Sequence, residues 1–220
     1  MVFSVTLNFR GAKSLTKKTT LILTFDQQSM EGMYDTYNPV AWKVTAFPAG
    51  GGGSFKATYT ADLAVARVQI DNGIVEAASY STHINLLQQT TLTVDSSSDP
   101  ETYAFTKPET WKGAKPGQFL ISNKTGAYQD IGIGFYEKGH QDPVANLVMN
   151  DVPGNTSVPA EFTPILSAYV ASGYKQTQII KAQIQSDLDW SKNLTNPSLH
   201  LDWRLEESGE GFTLVEDSPA

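Results

Sequence analysis

There is no cysteine in the 220 residues of this chain, and that absence excludes a disulfide framework, a thiol nucleophile and every zinc site built on thiolates. Charge is scarce too. Only 18% of residues are charged against 40% hydrophobic, a balance that fills a core and is foreign to disordered chains. Basic residues are outnumbered, 16 Lys and Arg against 23 Asp and Glu, for a net charge of -7. Nucleic-acid binding is disfavoured on that count, because it needs Lys and Arg gathered on one face to displace counterions from phosphates. No apolar run approaches the roughly 18 residues that span a bilayer as a helix. Residues 1–10 alternate apolar and polar side chains and lack the continuous apolar stretch of a signal peptide. A cytoplasmic location, or release without a secretion signal, is therefore expected. Imidazoles are limited to His83, His140 and His200. The chain carries no Gly-x-Ser-x-Gly elbow, no Gly-x-Gly-x-x-Gly after a strand, no P-loop and no His-Glu-x-x-His. No catalytic residue, metal ligand or cofactor is indicated.

What is abundant is alternation of period two, the mark of strands with one face on a core. Phe3, Val5, Leu7 and Phe9 make the first such row. Thr19 to Phe25, Trp42 to Phe47 and Ser54 to Thr60 follow, with the Gly50 to Gly53 run as a loop tip between the last two. The stretch from Leu63 is interrupted at Asp71-Asn72-Gly73, and Asn-Gly predicts a tight hairpin because both turn residues tolerate positive φ. Thr90 to Val94 and Tyr103 to Phe105 flank the polar turn 95–100. Phe119 to Asn123 and Ile131 to Glu137 read as a strand pair joined by residues 124–127. Gly132 and Gly134 share one face there, which signals close approach of another backbone or of a ligand. Ala145 to Met149 adds a strand. From Phe162 to Trp190 the pattern is mixed: Ile165, Leu166, Tyr169 and Val170 fit a helical stripe, whereas Ile180, Ala182 and Ile184 fit a strand. Strands with a turn at Ser172-Gly173 are favoured, a short helix after Pro164 being the alternative. Leu199 to Leu205 and Phe212 to Val215 close the series around the turn 208–211. Roughly a dozen short strands at this spacing predict an all-β protein, an antiparallel β-sandwich formed by residues 1–220 as one domain, with two small domains as the alternative.

Chemistry is sought in the loops. Tyr34, Tyr37, Trp111, Tyr128 and Tyr136 all fall in or beside polar stretches rich in Gly or Pro. Sugars stack their C–H faces on aromatic rings while carboxylates, amides and imidazoles engage the hydroxyls, so this mixture suits a saccharide site. The candidate ligand-binding residues are Trp111, Tyr128, Tyr136, His140 and Tyr37, each with packing under a loop as its alternative role. Trp42, Trp190 and Trp203 sit in alternating patterns and are assigned to the core. Asp187 and Asp189 would share one face of a strand. That arrangement is compatible with a calcium ion or with the acid and base of glycoside hydrolysis, but a solvated strand end is the preferred reading. Three Asn-x-Ser/Thr sequons, at Asn123, Asn155 and Asn193, are read as turn residues.

The segment Phe135-Tyr136-Glu137-Lys138-Gly139-His140, the stretch Phe162 to Gln185 and the ending His200-Leu201-Asp202-Trp203-Arg204-Leu205 resemble cytosolic fruiting-body lectins of mushrooms, nearest to the fucoside-binding, mucin-binding group. The resemblance implies an antiparallel β-sandwich, homo-oligomerisation, binding of fucosylated glycans on cell-surface glycoproteins or glycolipids, and a role in fungal defence against predators. It places no binding residues. The leading expectation is therefore a non-catalytic lectin with glycan partners. A membrane-binding or pore-forming β-sandwich toxin, using Met30, Met33, Tyr34 and Tyr37, is the alternative, and a glycoside-active enzyme using Asp187 and Asp189 is the third reading.

Overall fold

The computed structural model describes residues 3–26, 37–97 and 100–218. In chain order the strands are β1 (Ser4–Gly11), β2 (Thr19–Thr24), β3 (Asn38–Pro39), β4 (Lys43–Phe47), β5 (Ser54–Thr60), β6 (Leu63–Asp71), β7 (Ile74–His83), β8 (Gln88–Asp95) and β9 (Thr102–Phe105). They continue with β10 (Glu109–Thr110), β11 (Gln118–Asn123), β12 (Gln129–Phe135), β13 (Val144–Val152), β14 (Thr156–Glu161), β15 (Ile165–Val170), β16 (Trp190–Asn193), β17 (Asp202–Ser208) and β18 (Gly211–Glu216). Among the described residues there is no helix, so the all-β expectation holds.

Four sheets pack together as a β-sandwich. Their orders are β18-β17-β1-β5, β16-β15-β2-β4, β3-β13-β12-β6-β7 and β10-β8-β11-β14, with β9 paired to β8. Pairing is antiparallel except for β1 with β17 and β8 with β11, which are parallel. One cluster of buried side chains draws on all four sheets, including Phe9, Leu23, Ile121 and Ile133. Each such side chain, fully removed from water, contributes about 1.5–3 kcal/mol. Phe25 is the hub, with Trp42, Phe135, Tyr59 and Phe162 at centroid distances of 5.1, 5.4, 5.8 and 5.8 Å.

Local patterning explains the elements. In β1, Leu7 and Phe9 are buried while Thr6, Asn8 and Arg10 are half-exposed. The β6–β7 hairpin pairs Asp71 with Ile74 across Asn72 (φ 48°) and Gly73 (φ 77°), the geometry that Asn-Gly favours. Gly134 has no room for a side chain, since a Cβ there would lie 1.9 Å from the Val144 carbonyl oxygen. The small glycine on β12 thus marks the backbone of β13, one of the two causes the sequence left open.

Two expectations are corrected. First, β11 and β12 are not partners: β11 pairs with β8 and β14, and β12 with β6 and β13. The connection leaves one sheet for another because the buried Asn123 side chain captures it, donating from Nδ2 to the carbonyls of Ala127 (2.8 Å) and Val152 (2.9 Å). Second, residues 180–184 form neither strand nor helix, whereas 165–170 is a strand, as the favoured reading has it. Residues 171–189 make an irregular strap in which Ile180, Ile184 and Leu188 are buried and Ala182 is exposed. Ile179 joins Val40, Ala66, Val68 and Val148 on one outer face. Ile180 and Ile184 join Ile22, Ala41 and Tyr169 on another. Regular pairing yields there to burial on two different sheets. Asp187 and Asp189 lie exposed at the end of this strap, outside any strand, so the shared strand face expected of them does not form.

Candidate functional site

Sheet register converges several polar residues at one end of the molecule. Leu63 pairs with Phe135, and Ala64 pairs with His83. The residues just beyond those pairs, Asp62 and Tyr136, therefore meet His83, and the Tyr136 N–H donates to the Asp62 carbonyl at 3.0 Å. The Tyr136 ring lies face to face with the His83 ring, 4.1 Å between centroids and 22° between planes. Its hydroxyl is 2.9 Å from Ser81 Oγ. His83 Nδ1 is 2.7 Å from Asp62 Oδ1. A carboxylate only accepts, so the imidazole donates through Nδ1 and keeps Nε2 for another partner. That ring is accessible, the His83 side chain being 65% exposed.

A tight turn supplies the facing wall. His140 N–H donates to the Glu137 carbonyl at 3.0 Å, and Gly139 takes φ 86°, where a side chain is disfavoured. Glu137 is held from below: Trp42 Nε1 donates to Oε1 at 2.9 Å, and Lys43 Nζ lies 2.8 Å from Oε1 and 3.1 Å from Oε2. The result is an open cleft of about 500 Å³ lined by Thr60, Asp62, His83, Tyr136, His140 and neighbouring residues. Its base is rigid for a simple reason. Thr60, Tyr136 and Lys43 each follow directly on a core aromatic, Tyr59, Phe135 and Trp42; the Tyr59 and Trp42 rings pack on Phe135, and all three on Phe25.

No protein-family model, curated protein or solved structure matches this chain. The chemistry of the cleft is what bears on function.

Of the five residues singled out from the sequence, Tyr136 and His140 line this one cleft. Tyr128 is 69% exposed in the crossover from β11 to β12. Trp111 is half-buried in the segment after β10, its backbone N–H donating to the Leu87 carbonyl at 2.8 Å. Tyr37 is buried, and its hydroxyl donates to the Pro159 carbonyl at 2.8 Å. Burial, and secondarily the Glu161 charge, raises its phenol pKa above the ordinary value. Tyr37 is thus a core residue in this conformation, and Met30, Met33 and Tyr34 lie outside the described residues. Asp62, His83, Thr60 and Ser4 were not legible as site residues, because only the strand register brings them to Tyr136. No cluster of three or more His, Cys, Asp or Glu side chains that could hold a metal occurs among the described residues, nor any helix long and apolar enough to cross a membrane.

The larger cleft of about 550 Å³, between the Asn72-Gly73 turn and the strap, offers Tyr174, Lys181 and Gln178 but no convergent acid, base or stacked pair. Size alone does not select it.

Proposed function

We propose that this protein is a non-catalytic carbohydrate-binding protein and that the cleft at Tyr136, His83 and His140 holds the sugar. The observation that carries the proposal is the stacked His83–Tyr136 pair beside a carboxylate, an amide and an ammonium in an open cleft. Flat conjugated rings take the apolar face of a pyranose, and the surrounding donors and acceptors, Asp62, His140, Gln141 and Lys138, address its hydroxyls. A shallow cleft of this kind binds one sugar weakly, so partners are multivalent glycans on cell-surface glycoproteins or glycolipids, and a homo-oligomer gains avidity by presenting several copies. Fucosylated structures are the first ligands to try.

The test is a glycan array probed with the recombinant protein, with and without chelator, followed by Tyr136→Ala and His140→Ala. Clustered binding without turnover, weakened at least about tenfold by Tyr136→Ala (a loss of stacking of roughly 1.4 kcal/mol), supports the reading. A blank array, or binding that ignores both substitutions, removes this cleft from the case.

One observation favours the membrane-active alternative. Leu86 and Leu87 are 43% and 45% exposed at the tip between β7 and β8, with Leu87 at φ 68°, and Trp111 is tied to Leu87 by its backbone. Lys107, Lys112 and Lys115 are exposed in the adjoining segment. An apolar tip beside lysines suits a lipid headgroup layer. Dye release from plain lipid vesicles supports that reading, and inertness toward them counts against it.

A further inference from the structure

The alternation of β1 and β5 has a second use besides the core. Ser4 faces Thr60 and Thr6 faces Thr58 across the pair, while Lys56 stands opposite Asn8. Because residues two apart share a face, these polar side chains form one outward stripe behind Leu7, Phe9 and Ala57. The stripe runs out of the Tyr136 cleft into a second cleft of about 400 Å³, and the two share Ser4, Glu137 and Lys138.

Hydroxyls and ammoniums dominate the second cleft. Thr6 and Thr58 share a hydrogen bond of 2.9 Å on its floor. Lys43, Lys56 and Lys138 stand around it, and Glu137 is its one acid. Both Glu137 oxygens are taken up by Lys43, and one also by Trp42. Lys56 and Lys138 are exposed and make no ion pair among the described residues. A chain of net charge -7 thus gathers two uncompensated ammoniums over a hydroxyl floor, against the sign of the whole molecule.

We infer that the second cleft is an anion subsite, so that the preferred ligand is an acidic saccharide whose carboxylate or sulfate sits between Lys56 and Lys138 while a sugar ring rests at Tyr136 and His83. The inference builds on the glycan-binding reading of the first cleft. The shared wall places the charged group on the same sugar or on its direct neighbour. Lysines act as point charges on flexible stems, so they accept carboxylate and sulfate alike, and screening by salt makes their contribution depend on ionic strength.

The experiment compares matched oligosaccharide twins, one bearing a carboxylate or sulfate and one without it, at low and at physiological salt. Wild type, Lys56→Gln/Lys138→Gln and Tyr136→Ala are titrated in parallel, and inorganic sulfate is tested by thermal shift. The acidic twin is expected to bind about tenfold more tightly than the neutral one at low salt, less so at physiological salt, and the double Lys variant should make the twins equal by weakening the acidic one more than the neutral one. Equal binding of the twins by wild type overturns the anion subsite and leaves the glycan reading standing. If neither twin binds, the glycan reading falls and sulfate decides the subsite. Protection by sulfate that the double variant abolishes upholds it, and no protection overturns it.

Discussion

Replacing Asn123 by Ala should loosen the molecule where two sheets are joined. The side chain is fully buried, and its Nδ2 reaches the carbonyls of Ala127, Val152 and Pro153 at 2.8, 2.9 and 3.2 Å. Its Oδ1 accepts from Thr125 N–H at 3.1 Å and Thr125 Oγ1 at 2.8 Å. Two amide hydrogens serve three carbonyls, so two of those bonds are strong and the third is shared. Truncation strips the buried Val152 carbonyl and the Thr125 amide of this partner, whereas the carbonyl of exposed Ala127 still accepts from Thr125 Oγ1 at 3.2 Å. At about 1–3 kcal/mol for a buried group left unpaired, and with Thr125 near enough to solvent to recover its bonds, the net loss is about 2 kcal/mol. With a urea dependence of about 2 kcal/mol per molar, the unfolding midpoint falls by about 1 M. Asn123→Asp makes the sharper test, since it keeps the Oδ1 contacts but turns an anionic oxygen toward three carbonyls. It should be less stable than Asn123→Ala near neutral pH and recover part of the difference in acid, where a protonated carboxyl can donate again. Urea melts of the three proteins, followed by tryptophan emission, provide the assay. A midpoint for Asn123→Ala within experimental error of wild type, or an Asn123→Asp protein as stable as wild type at neutral pH, refutes the account of this clamp.

Gly134→Ala should cost more than about 3 kcal/mol and yield little soluble protein, because the new methyl meets the β13 backbone. Gly209→Ala, with nothing within 4 Å of the added atom, should stay within about 0.5 kcal/mol of wild type in the same melts. Burial pushes the Tyr59 phenol up to about 12 from an ordinary 10.0. The folded state therefore holds that proton more tightly, and its contribution is complete below pH 10 and lost as pH rises toward 12, up to about 3 kcal/mol. Denaturant melts at increasing alkaline pH should show this fall, and Tyr59→Phe should flatten it. Glu207 titrates below the ordinary carboxylate range, first because the Thr16 N–H and then because the Thr16 hydroxyl donates to it, at 2.6 and 2.8 Å. Its stabilising effect is present above that range and disappears as pH falls through the lowered midpoint. Thr16→Val removes only the hydroxyl, so a carboxyl NMR titration should show the midpoint rising part of the way.

How far the sequence could be read depended on the range of the information. Alternation located β1, β5 and β11 because each puts one face on the core, and Asn72-Gly73 announced its hairpin because the φ requirement is local. Pairing between strands far apart in sequence was hidden. The four residues after Asn123 look like any hairpin loop, and only the capture of the Ala127 and Val152 carbonyls sends the chain into another sheet. The strap was misread for a related reason, since Ile180 and Ile184 answer to a surface built from β2 and β15, which no local period encodes. The site divides the same way. Tyr136 and His140 were visible as ring-bearing residues in a glycine turn, whereas Asp62 and His83 reach them only through the register of β6 with β7 and β12.

One strand has a consequence for how the molecule comes into being. β1 lies inside its sheet, with β5 on one side and β17 on the other, Asn8 facing Lys56 and Asp202. The second of those neighbours is made almost two hundred residues of synthesis later, so β1 is half-paired until β17 emerges. During that interval its free edge is an open template for other chains, and the pace of elongation between β5 and β17 sets how long a nascent chain stays sticky. Slowing translation ahead of β17 should therefore raise aggregation in the cell while leaving the finished protein unchanged.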